Sequence, residues 1–249
     1  MFSAWRRQLR TRNAGVVDVL WTFSIGALGV GYAALADGWV GRRVLVGTIV
    51  ALWSLRLGLH LTARVAGEPE DGRYAEIRAS KGAAADRWLF WFFQAQAALA
   101  VLLSLVVWVP ATAELEGFRA TDFAAVLVFA VSVVGETIAD RQLAAWRRDP
   151  ANRGRTCRRG LWAWSRHPNY FFEWLHWFAY PLIAVGLPGG TFLWLAPALL
   201  LWLILAVTGI PPTEARAIAS RGDDYRDYQR TTNAFFPGPP KVHAVRQNS

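Results

Sequence analysis

Cysteine is almost absent from this chain: Cys157 is the single thiol among 249 residues. No internal disulfide can form, and a lone thiol builds no metal site, so cysteine usage does not set the compartment. Lysine is nearly absent too, with only Lys81 and Lys241, so the basic residues are almost all Arg. Several catalytic signatures are missing. There is no GxGxxG after a strand, no phosphate-cradling GxxxxGK[ST] loop, no HExxH and no GxSxG. These absences set aside the familiar soluble dinucleotide and NTP folds, the zinc peptidases and the nucleophile-elbow hydrolases. A nucleotide site here needs another architecture.

What the chain has is apolar length. Hydrophobic residues make up 54%, Trp occurs 14 times, and runs of about 20 apolar residues recur, the length that crosses ~30 Å of hydrocarbon at ~1.5 Å per helical residue. Runs this long are helical, because lipid offers the backbone no hydrogen-bond partners. The pattern predicts an all-α, polytopic transmembrane bundle: a single integral membrane domain over 1–249. About six spans are expected, at Val16–Leu35, Val44–Leu61, Trp88–Val109, Phe123–Ala139, Tyr170–Leu187 and Phe192–Ile210, followed by a tail over 211–249. The abundant Trp suits interfacial belts. Arg6, Arg7, Arg10 and Arg12 ahead of the first run imitate a signal peptide. That run is long for one, however, and carries Asp18 and Trp21.

The formal charge of +9 would suggest nucleic acid in a soluble chain, but no nucleic-acid reading motif is present. The Arg residues lie between spans, where they set topology and meet anionic headgroups. Arg141, Arg147, Arg148, Arg153, Arg155, Arg158, Arg159 and Arg166 crowd the segment between spans four and five, which places that segment in the cytosol and, with six spans, both termini as well. Arg42 and Arg43 conflict with this orientation, since they fall in the first outer loop.

Four polar clusters then fall on the expected cytosolic face. Ionisable residues at membrane depth are costly and usually line a site. Arg56, His60 and Arg64 are spaced i, i+4, i+8 on one helical face, followed by Asp71, Arg73 and Tyr74. A His or Tyr there can donate a proton to a substrate carbonyl; the plain alternative is snorkelling Arg beside a backbone-bonded His. Glu136 and Asp140 share a face near Arg141 and Gln142, suited to a ribose hydroxyl or simply to a charge pair at a helix end. In Ser165–Tyr170 (SRHPNY), Pro168 can start a helix, on which Asn169, Glu173 and His176 share a face. A carboxamide and a carboxylate one turn apart can read a nicotinamide amide or a ribose, or can serve as a cap with buried hydrogen bonds. Tyr225 and Tyr228, with Arg226 and Arg230 beside them, can fold over a nucleotide or anchor the tail in the interface.

At these residues a resemblance appears. GLWAWSRHPNYFFE (Gly160–Glu173) resembles the GLW-SRHPNYFGE signature of the DUF1295 family of bacterial membrane proteins, within the steroid 5-alpha-reductase-like (3-oxo-5-alpha-steroid 4-dehydrogenase) superfamily. DVLW (Asp18–Trp21), LWSLRLGLHLTAR (Leu52–Arg64), EDGRY (Glu70–Tyr74), ADRQL (Ala139–Leu143), GIP (Gly209–Pro211) and the aromatic tail from Tyr225 to Pro237 agree in order. The resemblance implies a helical membrane fold and reduction by NADPH of a carbon–carbon double bond conjugated to a carbonyl in a lipophilic substrate. It implies dinucleotide contacts at Asp140, Arg141, Arg155, Asn169, Glu173 and Tyr228, and Arg166, His167 and Tyr225 of the same clusters are candidate cofactor-binding residues beside them. His60, or Tyr74, would be the proton donor. It also implies a bacterial inner membrane, a cytosol-facing site and no metal, and leaves the oligomeric state open. Two departures stand out. Phe172 replaces the Gly of YFGE, and a short Arg-rich segment stands where many relatives have an apolar helix before DVLW. Two other readings fit the same residues: an S-adenosylmethionine-dependent methyltransferase of the isoprenylcysteine carboxyl type, which shares RHP, and a non-enzymatic lipid-binding relative.

Overall fold

The computed structural model describes residues 1–241; the last eight residues of the expected tail, 242–249, lie outside the described part. The described chain is helical throughout. In order the helices are α1 (Phe2–Thr11), α2 (Val16–Leu35), α3 (Val40–Gly67), α4 (Gly72–Lys81), α5 (Ala85–Ser104), α6 (Trp108–Ala111), α7 (Ala120–Arg148), α8 (Pro168–His176), α9 (Ala179–Ile183), α10 (Leu195–Trp202), α11 (Ile210–Arg221) and α12 (Asp223–Thr231). Among the described residues, five helical stretches are long and apolar enough to cross a membrane: Val16–Leu35, Val40–Gly67, Gly72–Ala111, Ala120–Arg148 and Gly190–Arg221. The first coincides with the run read from hydropathy, and the others extend the expected spans.

The expected span Tyr170–Leu187 is interrupted. It forms α8 and α9 with a break at Trp177 and Phe178, whose amides bond three residues back, to Trp174 O at 3.2 Å and Leu175 O at 3.2 Å. Pro181 supplies the cause. Its missing N–H and its ring both disfavour a continuous helix at the carbonyl four residues earlier, that of Trp177. A second irregularity follows α10, where Leu203–Val207 widens into a π-turn and Thr208 N bonds Leu203 O at 2.8 Å. Pro211 and Pro212 lie just beyond it. They cannot donate to Val207 and Thr208, so the regular ladder ends there.

The chain divides into two compact units, one of Met1–Val126 with Tyr180–Ala196, the other of Leu127–Ala179 with the chain from Pro197 onward. In the first unit, Ile25 of α2, Val46, Ile49, Val50 and Trp53 of α3, and Leu89, Phe93 and Leu103 of α5 are buried. Gly26 is required where α2 approaches α3: a Cβ there would collide with the Ser54 side chain, whose hydroxyl donates to Thr22 O at 3.1 Å. The Arg-rich segment before DVLW is α1. Its Ala4 is buried, and its Trp5 indole donates to Asp86 O at 2.9 Å.

The first unit also accounts for Arg42 and Arg43, both of which lie in the first turn of α3. Arg42 is fully buried; it donates to Leu115 O at 2.6 Å and Gly117 O at 2.9 Å and pairs with Asp122 at 3.4 Å. Arg43 donates to Ala33 O at 2.9 Å and Ala34 O at 2.6 Å. Both guanidiniums close helix ends and loop carbonyls, and Arg42 is neutralised by a carboxylate, which removes the weight the positive-inside rule gives to a free loop charge.

Candidate functional site

In the second unit, the face of α7 that carries Asp140 meets the face of α8 that carries Asn169. The Asn169 carboxamide donates to Asp140 Oδ1 at 3.4 Å, while its own oxygen accepts from Tyr170 N at 3.1 Å. Glu173, one turn further along α8, accepts from the Trp177 indole at 3.2 Å. Asp140, Asn169 and Glu173 thus form a polar ledge along the α7–α8 interface, each half-buried. Pro168 takes the first position of α8, the place where a missing N–H costs nothing. Helix α8 therefore begins where the sequence places it.

Phe172, the departure from the family's glycine, has its ring against Gly135 of α7, where any Cβ would collide with it. The benzyl group occupies space that α7 leaves vacant, so the two helices meet without displacement by the larger residue.

The RHP turn is fixed by a different centre, Glu214 of α11. Arg166 Nε donates to its Oε1 at 2.6 Å, His167 Nε2 lies 3.2 Å from the same oxygen, the Tyr225 hydroxyl donates at 3.3 Å, and Gln229 donates to Oε2 at 2.7 Å. Arg166 further donates to Gln229 O at 3.1 Å and Thr232 O at 2.6 Å. Beside a carboxylate the His167 Nε2 is the protonated nitrogen. Burial holds this imidazole below its ordinary pKa, although Glu214 pulls the other way. Tyr228 is buried, and its hydroxyl donates to Trp162 O at 2.5 Å and Ser165 O at 3.1 Å. Burial pushes both tyrosine hydroxyls well above the usual phenol range. Arg166 Nε and Nη1, His167 Nε2 and the Tyr225 and Tyr228 hydroxyls are thus engaged within the protein, tying the tail to the turn that launches α8. Arg141 and Arg155 are exposed in the same unit. Arg158 is held by Asp227 at 2.9 Å and by Asp224 O at 2.6 Å.

The residues of the first polar cluster lie in the first unit. His60 is exposed on α3. Tyr74 is buried, and its hydroxyl donates to Asp18 Oδ1 at 2.8 Å. Arg73 bridges Asp18 at 3.0 Å and Asp71 at 3.2 Å, and Arg64 pairs with the other Asp71 oxygen. Burial alone would raise the Asp71 carboxyl. The Arg73 and Arg64 charges and the Arg73 backbone N–H outweigh it and bring the pKa down to about 2. A small open crevice lies beside this network, lined by Asn13, Asp18, Leu61, Arg64, Pro69 and Asp71 among others.

Sequence reasoning placed no weight on Glu214 as an organising group, nor on Asp18 or Gly135. Glu214 had one usable signal: it is the first carboxylate after the long apolar run that ends near Ile210, where a charge is costly and usually partnered. Asp18 had the signal of a carboxylate within the first apolar run; Gly135 acts through a partner distant in sequence and had none.

A family described as "Protein of unknown function (DUF1295)" matches residues 4–232 of the chain. No curated protein and no solved structure matches it.

Proposed function

The chain belongs to the DUF1295 family, and from that premise we propose that it is a membrane-embedded, NADPH-dependent reductase of a carbon–carbon double bond conjugated to a carbonyl in a lipophilic substrate. The observation that carries the reading is the Asp140–Asn169–Glu173 ledge, with its 3.4 Å carboxamide–carboxylate contact. A carboxamide flanked by carboxylates offers the acceptors and donors that a nicotinamide amide and ribose hydroxyls require, so the residues present fit that cofactor. Arg141 and Arg155 supply forked contacts to phosphate. Arg166, His167, Tyr225 and Tyr228 are positioning residues: they hold the turn that sets Asn169 in place.

NADPH supplies the hydride chemistry when bound; the protein's part is orientation and proton management. His60, exposed on α3, is the proposed donor to the substrate carbonyl oxygen as negative charge develops there. Tyr74 is a weaker choice, because its hydroxyl is buried and already donates to Asp18. Substrate enters from the bilayer, and the site faces the cytosol of a bacterial inner membrane.

The test is thermal unfolding of the detergent-purified protein with NADPH or S-adenosylmethionine. A ligand at a hundred times its Kd stabilises by ~2.7 kcal/mol, several degrees in Tm for a chain of this size. NADPH is expected to raise Tm, and Asn169→Ala and Glu173→Gln are each expected to abolish the shift without lowering expression. Protection by S-adenosylmethionine alone would make the protein a methyltransferase, and protection by neither a non-enzymatic relative.

A further inference from the structure

Helix α1 has three distinct faces. Ala4 and Gln8 turn into the first unit and are buried. The Gln8 side-chain oxygen accepts from Arg78, which also pairs with Glu70 at 3.0 Å and with Asp86 at 3.1 Å. Phe2, Trp5 and Leu9 form one flank of the helix, and Arg6, Arg7 and Arg10 occupy the other. These three Arg side chains are exposed. Among the described residues no hydrogen bond or ion pair engages their guanidiniums. Their spacing of i, i+1 and i+4 gathers them within ~6 Å along the helix axis.

The neighbour of α1 sets its level. The Trp5 indole donates to Asp86 O at 2.9 Å, and its ring lies 5.2 Å from that of Phe90. Those two partners straddle a border in the chain: Lys81, Asp86 and Arg87 precede it, and from Trp88 to Val107 no residue is charged. The border belongs to Gly72–Ala111, a stretch long and apolar enough to cross a membrane. Helix α1 therefore packs where that stretch would leave the hydrocarbon. The rings of Phe2, Trp5, Phe90 and Trp91 follow one another at 5.9, 5.2 and 5.2 Å, and Phe2 and Trp91 are 56% and 66% exposed. Such a row of half-wet rings suits the membrane–water interface. The carboxylates beside α1 are already taken: Glu70 and Asp86 by Arg78, and Asp86 also by Arg12 at 3.4 Å. The charge of the Arg6, Arg7 and Arg10 stripe is left uncompensated.

We propose that α1 is a docking surface for anionic phospholipid, in which headgroup phosphates accept from Arg6, Arg7 and Arg10 while Phe2, Trp5 and Trp91 lie against the acyl chains. A guanidinium offers phosphate a fork of parallel donors. The charge draws the headgroup, and the aromatic flank fixes the helix at the boundary where headgroup and acyl chain meet. The Arg78–Gln8 and Trp5–Asp86 hydrogen bonds hold α1 in one rotation about its axis. The stripe is thus ordered before lipid arrives, and little freedom is lost on binding. The occupant is a lipid of the bilayer and not a soluble phosphate, because the exposed rings beside the stripe need an apolar phase. This surface lies in the first unit and is independent of the reductase reading.

The test places the full chain in phosphatidylcholine nanodiscs with a bimane label on Ser3→Cys. Ser3 is exposed on α1, and the chain's own thiol, Cys157, is buried. Phosphatidylglycerol and phosphatidylcholine, each with a nitroxide near the top of one acyl chain, are compared as quenchers. Phosphatidylglycerol is expected to quench in preference. That preference should fall about fivefold for each guanidinium removed, through Arg6→Gln, Arg7→Gln and Arg10→Gln. It should persist when all three are changed to Lys, which keeps the charge, and weaken in high salt. The Tm in detergent is expected to stay unchanged in these variants, since the three guanidiniums hold nothing in the fold. Sodium phosphate at matched ionic strength should leave the preference intact. Equal quenching by the two lipids, a preference that survives the triple Gln variant, or one lost in the triple Lys variant overturns the proposal. Displacement by inorganic phosphate would make this a soluble-anion site and overturns it too.

Discussion

Asp71 illustrates how a single side chain ties a loop to the helices around it. It caps α4 by accepting from Arg73 N at 2.9 Å and pairs with Arg64 and Arg73. Its pKa falls from 3.8 to about 2 on folding. A depressed carboxylate contributes stability above its unfolded pKa and loses it as pH falls through the folded one, so the effect is complete above pH 3.8 and disappears toward about pH 2. Its size is on the order of 2 kcal/mol. Acid titration of Tm in detergent is expected to show that loss in the wild type and to lack this component in Asp71→Asn, which should be less stable at neutral pH by a similar amount.

Between helices, fit is decided by pairs of residues. The Phe172 ring and the bare α-carbon of Gly135 are complementary, so Gly135→Ala is expected to destabilise the fold by ~1–3 kcal/mol through overpacking, despite the ~1 kcal/mol that Ala gains over Gly in a helix. Phe172→Gly should relieve it, and a double-mutant cycle with strong positive coupling would verify the contact. Glu214 plays the corresponding part for the tail. Glu214→Ala removes the acceptor shared by Arg166, His167, Tyr225 and Gln229 and leaves Arg166 short of its counter-charge, a change of ~3–5 kcal/mol in buried pairs. Limited proteolysis is expected to show cleavage in 222–232 before any other described segment.

At the scale of the whole chain, the open quantity is the number of crossings. Five stretches have the length to span, and α8 with α9 would add a sixth that is bent at Trp177. Both termini on the cytosolic side is the expected outcome with six, and reporter fusions at each end measure it. Opposite locations would leave α8 and α9 short of a crossing. Arg42→Ala is expected to leave the orientation unchanged while lowering Tm, because the guanidinium is paired with Asp122 inside the fold and is not a free loop charge.

The helical membrane class and the start of α8 at Pro168 were legible in the chain because they depend on local quantities: apolar run length, a proline's missing N–H and the clustering of Arg. Even Asp140, Asn169 and Glu173 could be selected, since charge on an otherwise apolar helix face is visible without coordinates. What only the tertiary structure decided is which stripe meets which. The Phe172–Gly135 fit, the gathering of four side chains on Glu214 and the burial of Arg42 all join residues far apart in sequence, and close packing between helices, which no periodicity encodes, selects those partners.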